Sequence, residues 1–430
     1  MEKNKISLFA AIIMNINIMI GAGIFIAPAL MAKSSDFSSF IGWPIVAFIL
    51  FPIVFSITQI TKFLPGQSSF YNYSEIGINK TAGFLSGWFY YLGYASCAGI
   101  LVIALQNSLS DHIKVINDHA ILFSIILITI FCLLNLLNIS TISKIQNSIT
   151  LFKLFPIFFV ILVMVFYFNP HLVIKLSHLK KIPYALPFAL FAFWGFESSC
   201  NISHLIENEE KNAPRATLLA FFIVAAIYTL FHLGVSYIMT PQNLIEFKAV
   251  GFPKFLNIKY EIFLTLINSI ISAAIITSYF GTAFGLLIAN SANLHSLAKN
   301  NLLPFSSLLK KTNKQQRPAF SIWVTGITTF IFIYFITTKE MLAPICNIGI
   351  IGAFTLTIIS LFLIQKKKKI WLKRIPTILA FISCYILAHY SFVAISKDTI
   401  TRFVYTLPLI ILVIVGFLMF KIQEWKSKDK

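Results

Sequence analysis

The sequence predicts an all-α integral membrane protein of about 12 transmembrane helices, built as an inverted 5+5 repeat with broken helices 1 and 6 and two extra C-terminal helices. Three observations carry this. Hydrophobic residues make up 58% of the 430 and charged residues only 11%, against roughly 45–50% and 25% in soluble domains. Apolar runs of about 20 residues, the length that crosses a hydrocarbon core, recur along the chain. Two of those runs are interrupted by glycine or polar residues at matching depth, which a bilayer tolerates only where backbone is buried in protein or lines a cavity.

The first run, 6–31, follows MEKNK and contains Ala27-Pro28-Ala29, a sequence that a signal peptidase could cut. It is longer than the roughly 7–15 residues of a signal h-region, so it reads as a retained span. Further runs fall near 38–61, 81–107, 119–138 and 146–168, closing a first repeat at about 6–168. The second repeat, about 184–364, holds runs near 184–205, 215–239, 261–291, 318–337 and 341–364. Runs near 375–395 and 401–421 lie outside the pair, and all belong to one transmembrane domain, 1–430.

A net charge of +19 raises the question of nucleic acid, but a nucleic-acid binder clusters its basic residues on a soluble face. Here they sit between apolar runs. With the N-terminus inside, 23 of the 34 Lys and Arg fall on the cytoplasmic side, the bias that orients membrane proteins. Lys299, Lys310, Lys311, Lys314 and Arg317 lead that set, with Lys366 to Lys369, Lys373 and Arg374, and the tail lysines Lys421, Lys426, Lys428 and Lys430. Both termini are therefore expected in the cytoplasm, in the cytoplasmic (inner) membrane. Lys366 to Lys369 read as a topology anchor, with contact to anionic lipid head groups as the alternative.

The five cysteines, Cys97, Cys132, Cys200, Cys346 and Cys384, lie in or beside apolar runs without CxxC spacing, the pattern of small core residues. Neither metal nor cofactor is expected, because the eight histidines form no HExxH or similar pattern. His232, inside the seventh run, is a helix-packing residue or a proton relay. No GxxxxGK[ST] loop and no GxSxG elbow occurs.

The two interruptions are Gly21-Ala22-Gly23, within MNINIMIGAGIFIAPALMA, and the stretch around Gly195 and Glu197, within PFALFAFWGFESSCNISHLI. They lie five runs apart. An odd offset reverses direction, so the two helices run antiparallel and their midpoints can meet. A restarted helix offers free N–H groups at a positive dipole end, and an ended one offers carbonyls at a negative end. A zwitterion fits both: the N–H groups of Gly21, Ala22 and Gly23 suit an α-carboxylate. Carbonyls of Phe191 and Trp194, with Met19 opposite, suit an α-ammonium. The alternative for GAG is a small-residue packing patch.

GAGIF in the first run and GFESSCNISHLIENEEKNAPRA (Gly195 to Ala216) resemble the amino acid-polyamine-organocation permeases. LPGQSSFYNYSEIG (Leu64 to Gly77) is similar to that family's GGxYxY segment, and LHSLAKNNLLP (Leu294 to Pro304) to its loop between spans eight and nine. The resemblance implies the leucine-transporter fold, with substrate held by Met19, Ala22 and Gly23 from the first span and by Phe191 and Trp194 from the sixth. Glu197 beside them would be a gate, a proton carrier or a partner for a cationic substrate. Phe191 departs from the arginine/agmatine antiporters, which carry tryptophan there; the weaker cation–π surface of phenylalanine bears on a guanidinium substrate.

Glu197 can instead be a structural carboxyl that locks spans together, while Glu207, Glu209 and Glu210 read as a solvated helix end. Lys153, in SITLFKLFPIFFVILVMVF, matches the KLxP lysine whose ammonium, in some proton-coupled members, stands in for the second sodium ion of sodium-driven relatives. It would bridge spans one, five and eight. Alternatively it snorkels to the interface from a depth of about 10 Å. The expected activity is secondary active transport of amino acids, proton-coupled and sodium-independent, with exchange of amino acids or amines as the alternative. A multispan enzyme or a channel is the remote one, since the mid-depth acid is single and the internal pattern two-fold. Partners are then a small amino acid or amine, a proton and membrane lipids, not nucleic acid.

Overall fold

Ser7 stands at the head of the first helix, its hydroxyl accepting from the Ala10 N–H at 3.3 Å, so an end that would leave N–H groups unpaired is capped. From there the computed structural model describes residues 5–64, 66–67, 69–110, 113–168, 174–256, 261–335, 339–370, 374–395 and 398–428. Residues 1–4, with Pro65, Ser68, Lys373 and Lys430 from the segments singled out above, lie outside the described residues.

The first predicted span is a helix pair, α1 (Leu8–Met19) and α2 (Gly23–Ser35), followed by α3 (Gly42–Phe63). The segment after it folds as a short buried helix, α4 (Phe70–Gly77), opened by Ser69. Then come α5 (Lys80–Ser110), α6 (Val115–Asp118), α7 (Ala120–Asn135) and α8 (Ile139–Val163), the last capped by Asn138 accepting from Thr141 N–H at 2.8 Å. After α9 (Leu176–Leu179) the sixth span is again a pair, α10 (Leu186–Phe193) and α11 (Ser198–Asn201). The remainder is α12 (Glu209–Phe247), α13 (Glu261–Lys299), α14 (Ser306–Leu309), α15 (Ala319–Phe335), α16 (Lys339–Lys367), α17 (Arg374–Ile395) and α18 (Thr399–Lys428).

Within the described residues the twelve predicted runs coincide with helices or helix pairs; positions 336–337 of the ninth run lie outside them. Among the described residues, eight helical stretches are long and apolar enough to cross a membrane, and α1, α7 and α15 are shorter apolar helices. Among the described residues there is no strand, only one isolated parallel bridge, Ile6 with Ile206. The run 215–239 ends where α12 kinks, at Thr240 with φ +62, but it misses the polar start of α12 as the run 261–291 misses the polar end of α13, because apolarity marks what meets lipid and a helix continues past it into polar sequence. Glu209 and Glu210 occupy the first turn of α12, where carboxylates complement the dipole. The sixth span is shorter than its run, with only α10 and α11 helical between 3-10 turns at Ile182–Tyr184 and Ser203–Leu205.

Lipid tails are as apolar as leucine, so membrane helices associate through close packing and hydrogen bonds. α5 is the hub, with 89% of its most apolar stretch buried. It meets α16 where Gly93 faces Gly349, so close that a Cβ on Gly349 would lie 2.9 Å from the Gly93 Cα. On another side α13 clasps it: Asn290 Nδ2 donates to Tyr91 O at 3.1 Å and Asn293 Nδ2 to Gly87 O at 2.8 Å. α1 packs on α11 and α2 on α10. This crosswise pairing of halves makes the two broken spans antiparallel.

Candidate functional site

Helix α1 ends inside the bundle, and its last carbonyls receive side chains from two other helices. Lys153 of α8 is fully buried, and its Nζ donates to Asn17 O at 2.5 Å and also to Ile20 O. Thr282 of α13 donates to the same two oxygens, 3.0 Å from each, and Ser278 Oγ lies 3.1 Å from Ile20 O and 3.4 Å from Gly21 O. The Lys153 amine thus faces the carbonyl end of α1, the negative end of its dipole, from a position buried in protein. Lys153 of α8 meets α1 directly, at carbonyls that α13 also meets through Thr282 and Ser278.

The second break is set by backbone conformation. Trp194 leaves the helix in an extended conformation, and Gly195 follows at φ +104, a region costly for any residue with a Cβ. Its N–H donates to Tyr94 Oη at 3.0 Å, and an added Cβ would lie 2.4 Å from Ile18 Cγ2 of α1. Glu197 is fully buried. Its Oε1 accepts from Tyr90 Oη at 3.1 Å and from Tyr94 Oη, while Oε2 has no partner among the described residues.

Two side chains tie the breaks to each other. Asn15 Nδ2 donates to Phe196 O at 3.0 Å, and its Oδ1 accepts from Ser199 N–H and Oγ at 3.1 and 2.9 Å. Tyr228 of α12 places its hydroxyl 2.7 Å from both Met19 O and Ala192 O, so one proton serves two carbonyls. The Met19 carbonyl expected to meet an ammonium is therefore already engaged. Gly21 N–H is likewise engaged, with Met19 O at 2.9 Å. Ala22 and Gly23 remain as the N–H groups at the start of α2.

Met19, Gly21, Ala22, Gly23, Phe191 and Trp194 all line one cavity, together with Cys97 and Thr282. Its volume is about 20 Å³, room for roughly one water, so the walls stand close together. Trp194 Nε1 donates to Asn347 Oδ1 of α16 at 2.6 Å, which fixes the indole as one wall. Glu197 is not among the lining residues. Its carboxyl is instead held by the hydroxyls of the α5 tyrosines, Tyr90 and Tyr94.

Further contacts hold the chain around the breaks. Ile6 N–H donates to Leu205 O at 2.9 Å and Glu207 N–H to Ile6 O at 3.0 Å, while Tyr73 of α4 donates to Cys200 O at 3.0 Å. His232 lies elsewhere, between Trp43 Nε1, which donates to its Nδ1 at 2.9 Å, and Ser39 Oγ, 3.1 Å from Nε2. Both ring nitrogens are engaged, as in a packing residue. The five cysteines are buried.

Gly23 is where the two broken spans touch. A Cβ there would fall 2.3 Å from Ala192 Cβ and 2.7 Å from its Cα, and backbone cannot yield as a flexible side chain can. Gly23→Val is expected to lower stability by about 1–3 kcal/mol and to abolish uptake, read by thermal unfolding and by radiolabelled substrate in vesicles. Wild-type uptake by this variant would show that the close approach is dispensable.

A family model described as amino acid permease matches residues 6–423. The chain belongs to the amino acid permease family. The permease is 26% identical over 376 residues to the arginine/ornithine antiporter of Latilactobacillus sakei, covering 82% of this chain and 77% of that protein. It is 22% identical to the serine/threonine exchanger SteT of Bacillus subtilis, covering 85% and 84%. A methylthioribose transporter of the same bacterium is 23% identical, covering 84% and 81%. With its apolar helices, membership makes the permease a multi-pass membrane protein.

Asn15, Tyr228, Ser278, Thr282 and the α5 tyrosines escaped the sequence reading. Signals existed: Asn15 and Asn17 interrupt an apolar run, and Ser278 and Thr282 are four apart, hence on one face of α13.

Proposed function

We propose that this permease is a secondary active transporter that moves amino acids across the cytoplasmic membrane by alternating access, linked to protons and independent of sodium, with both termini cytoplasmic. The Lys153 ammonium on the carbonyls of Asn17 and Ile20 carries this reading. Backbone carbonyls and hydroxyls are the oxygens a hard cation would take, and here a side-chain cation occupies them. Protonated, Lys153 clamps α1 to α8 and α13. Deprotonated, it loses the charge that holds the dipole end, and α1 is released. The five-plus-five repeat, 6–168 and 184–364, supplies the two bodies that rock around the site.

Substrate enters as a zwitterion. Its carboxylate meets the N–H groups of Ala22 and Gly23 at the positive end of α2, and its ammonium the carbonyls of Phe191 and Trp194. Phe191 covers the side chain, which favours a neutral or apolar one. The methylthioribose transporter among the relatives shows why family alone does not set the substrate.

Exchange is the second reading, favoured by the names of two relatives, an antiporter and an exchanger. Purified protein in proteoliposomes separates the two. Net uptake into empty vesicles, driven by an inward proton gradient with choline replacing sodium, supports proton-linked transport. Uptake only into vesicles preloaded with amino acid or amine supports exchange, and a sodium requirement removes the first reading.

A further inference from the structure

A groove of about 1020 Å³ lies on the outer face of the bundle, between α5, α15, α18 and the segment from α13 to α15. Trp88, Tyr91 and Leu92 of α5 form its floor. One wall runs from Phe320 to Phe335 on α15 and the other from Pro408 to Met419 on α18. At 1.5 Å per residue these walls are roughly 22 and 16 Å long, enough to span one leaflet of a hydrocarbon core about 30 Å thick. Wall side chains face outward: Phe335 is 75% exposed and Ile411 50%.

The polar atoms in the floor and walls already have partners. Trp88 Nε1 donates to Leu412 O at 3.0 Å, the Tyr91 and Thr328 hydroxyls lie 2.6 Å apart, and Thr328 Oγ1 donates to Val324 O at 2.9 Å. A space without free polar partners takes hydrocarbon, not water. One mouth of the groove is basic. Phe305, Leu308 and Leu309 line it; Lys310 and Lys311 follow immediately and are exposed, as are Lys299 and Lys314. No acidic residue occurs between Glu261 and Glu340 to offset them.

We propose that this groove is a binding site for one anionic phospholipid, its acyl chains between α15 and α18 and its phosphate at Lys310 and Lys311. At roughly 30 Å³ per water-sized group, the volume holds on the order of 30 methylenes, the content of two acyl chains. The charge selects an anionic head group, because basic residues at a membrane surface attract it. The occupant bears on the site through α5: Trp88 and Tyr91 floor the groove, while Tyr90 and Tyr94 of the same helix hold Glu197. The proposal rests on the chain's place in a membrane and not on the transport reading.

The test uses the full chain in nanodiscs of equal phosphatidylglycerol and phosphatidylcholine, released into the mass spectrometer and stripped stepwise of lipid. One phosphatidylglycerol is expected to survive stripping of wild type. The double variant Lys310→Ala, Lys311→Ala should lose it at least tenfold more readily, with phosphatidylcholine unchanged, and Val415→Trp, which fills the groove, should retain neither. Should Val415→Trp not fold, phosphatidylglycerol with brominated chains gives a second readout: it quenches tryptophan fluorescence of wild type, and less so of Trp88→Phe. Equal retention of both lipids, unchanged by the lysine substitutions, overturns the proposal in favour of ordinary surrounding lipid. A lipid-free wild-type dimer that Val415→Trp dissociates overturns it in favour of a second copy.

Discussion

Lys153→Ala is expected to lower net uptake at least tenfold while the protein still reaches the membrane and still binds substrate. The side chain donates charged hydrogen bonds to Asn17 O and Ile20 O from a fully buried position, and such bonds contribute about 1.5–3 kcal/mol each. Each bond lost shifts the equilibrium between docked and released α1 by roughly 10- to 150-fold, and the variant loses both. Thr282 and Ser278 continue to donate to these carbonyls, so no oxygen is orphaned and folding survives. Lys153→Met, which keeps most of the stem and drops the charge, should behave like the alanine variant. Wild-type uptake by the methionine variant would reduce Lys153 to a packing residue.

For Glu197 two substitutions divide the carrier from the structural carboxyl. Glu197→Ala leaves the hydroxyls of Tyr90 and Tyr94 without their acceptor in a buried place, at about 1–3 kcal/mol each, so the thermal transition should fall steeply. Glu197→Gln keeps an amide oxygen for the tyrosines and should stay within about 1 kcal/mol of wild type, yet it can no longer exchange a proton. Its uptake is expected to fall at least tenfold, with the residue indifferent to an imposed pH gradient. A glutamine variant with a wild-type rate and pH profile would leave Glu197 only the role of locking α5 to the second break.

Helix positions were legible in the sequence because a bilayer enforces them: each run of about 20 apolar residues must satisfy its backbone internally. The breaks were legible for the same reason, and Met19, Ala22, Gly23, Phe191 and Trp194 do meet around one cavity. Direction was not legible. Glu197 lies two residues beyond Gly195, whose φ is +104, and the direction of its carboxyl, toward the tyrosines of α5, depends on that turn. Depth alone gave Lys153 two fates, and the burial that distinguishes them comes from α1 and α13, distant in sequence. Tyr228 reads in one dimension as an aromatic in an apolar helix; its place 2.7 Å from carbonyls of both broken spans is a tertiary fact.

That a lysine does the work of a bound cation at the end of α1 is tested most directly by the sodium dependence of initial uptake. Wild-type protein in proteoliposomes, at fixed inward proton gradient, is assayed with sodium and with choline as the external cation. The predicted result is the same initial rate in both, falling when the proton gradient is collapsed. A rate that requires sodium and ignores the proton gradient would contradict the account.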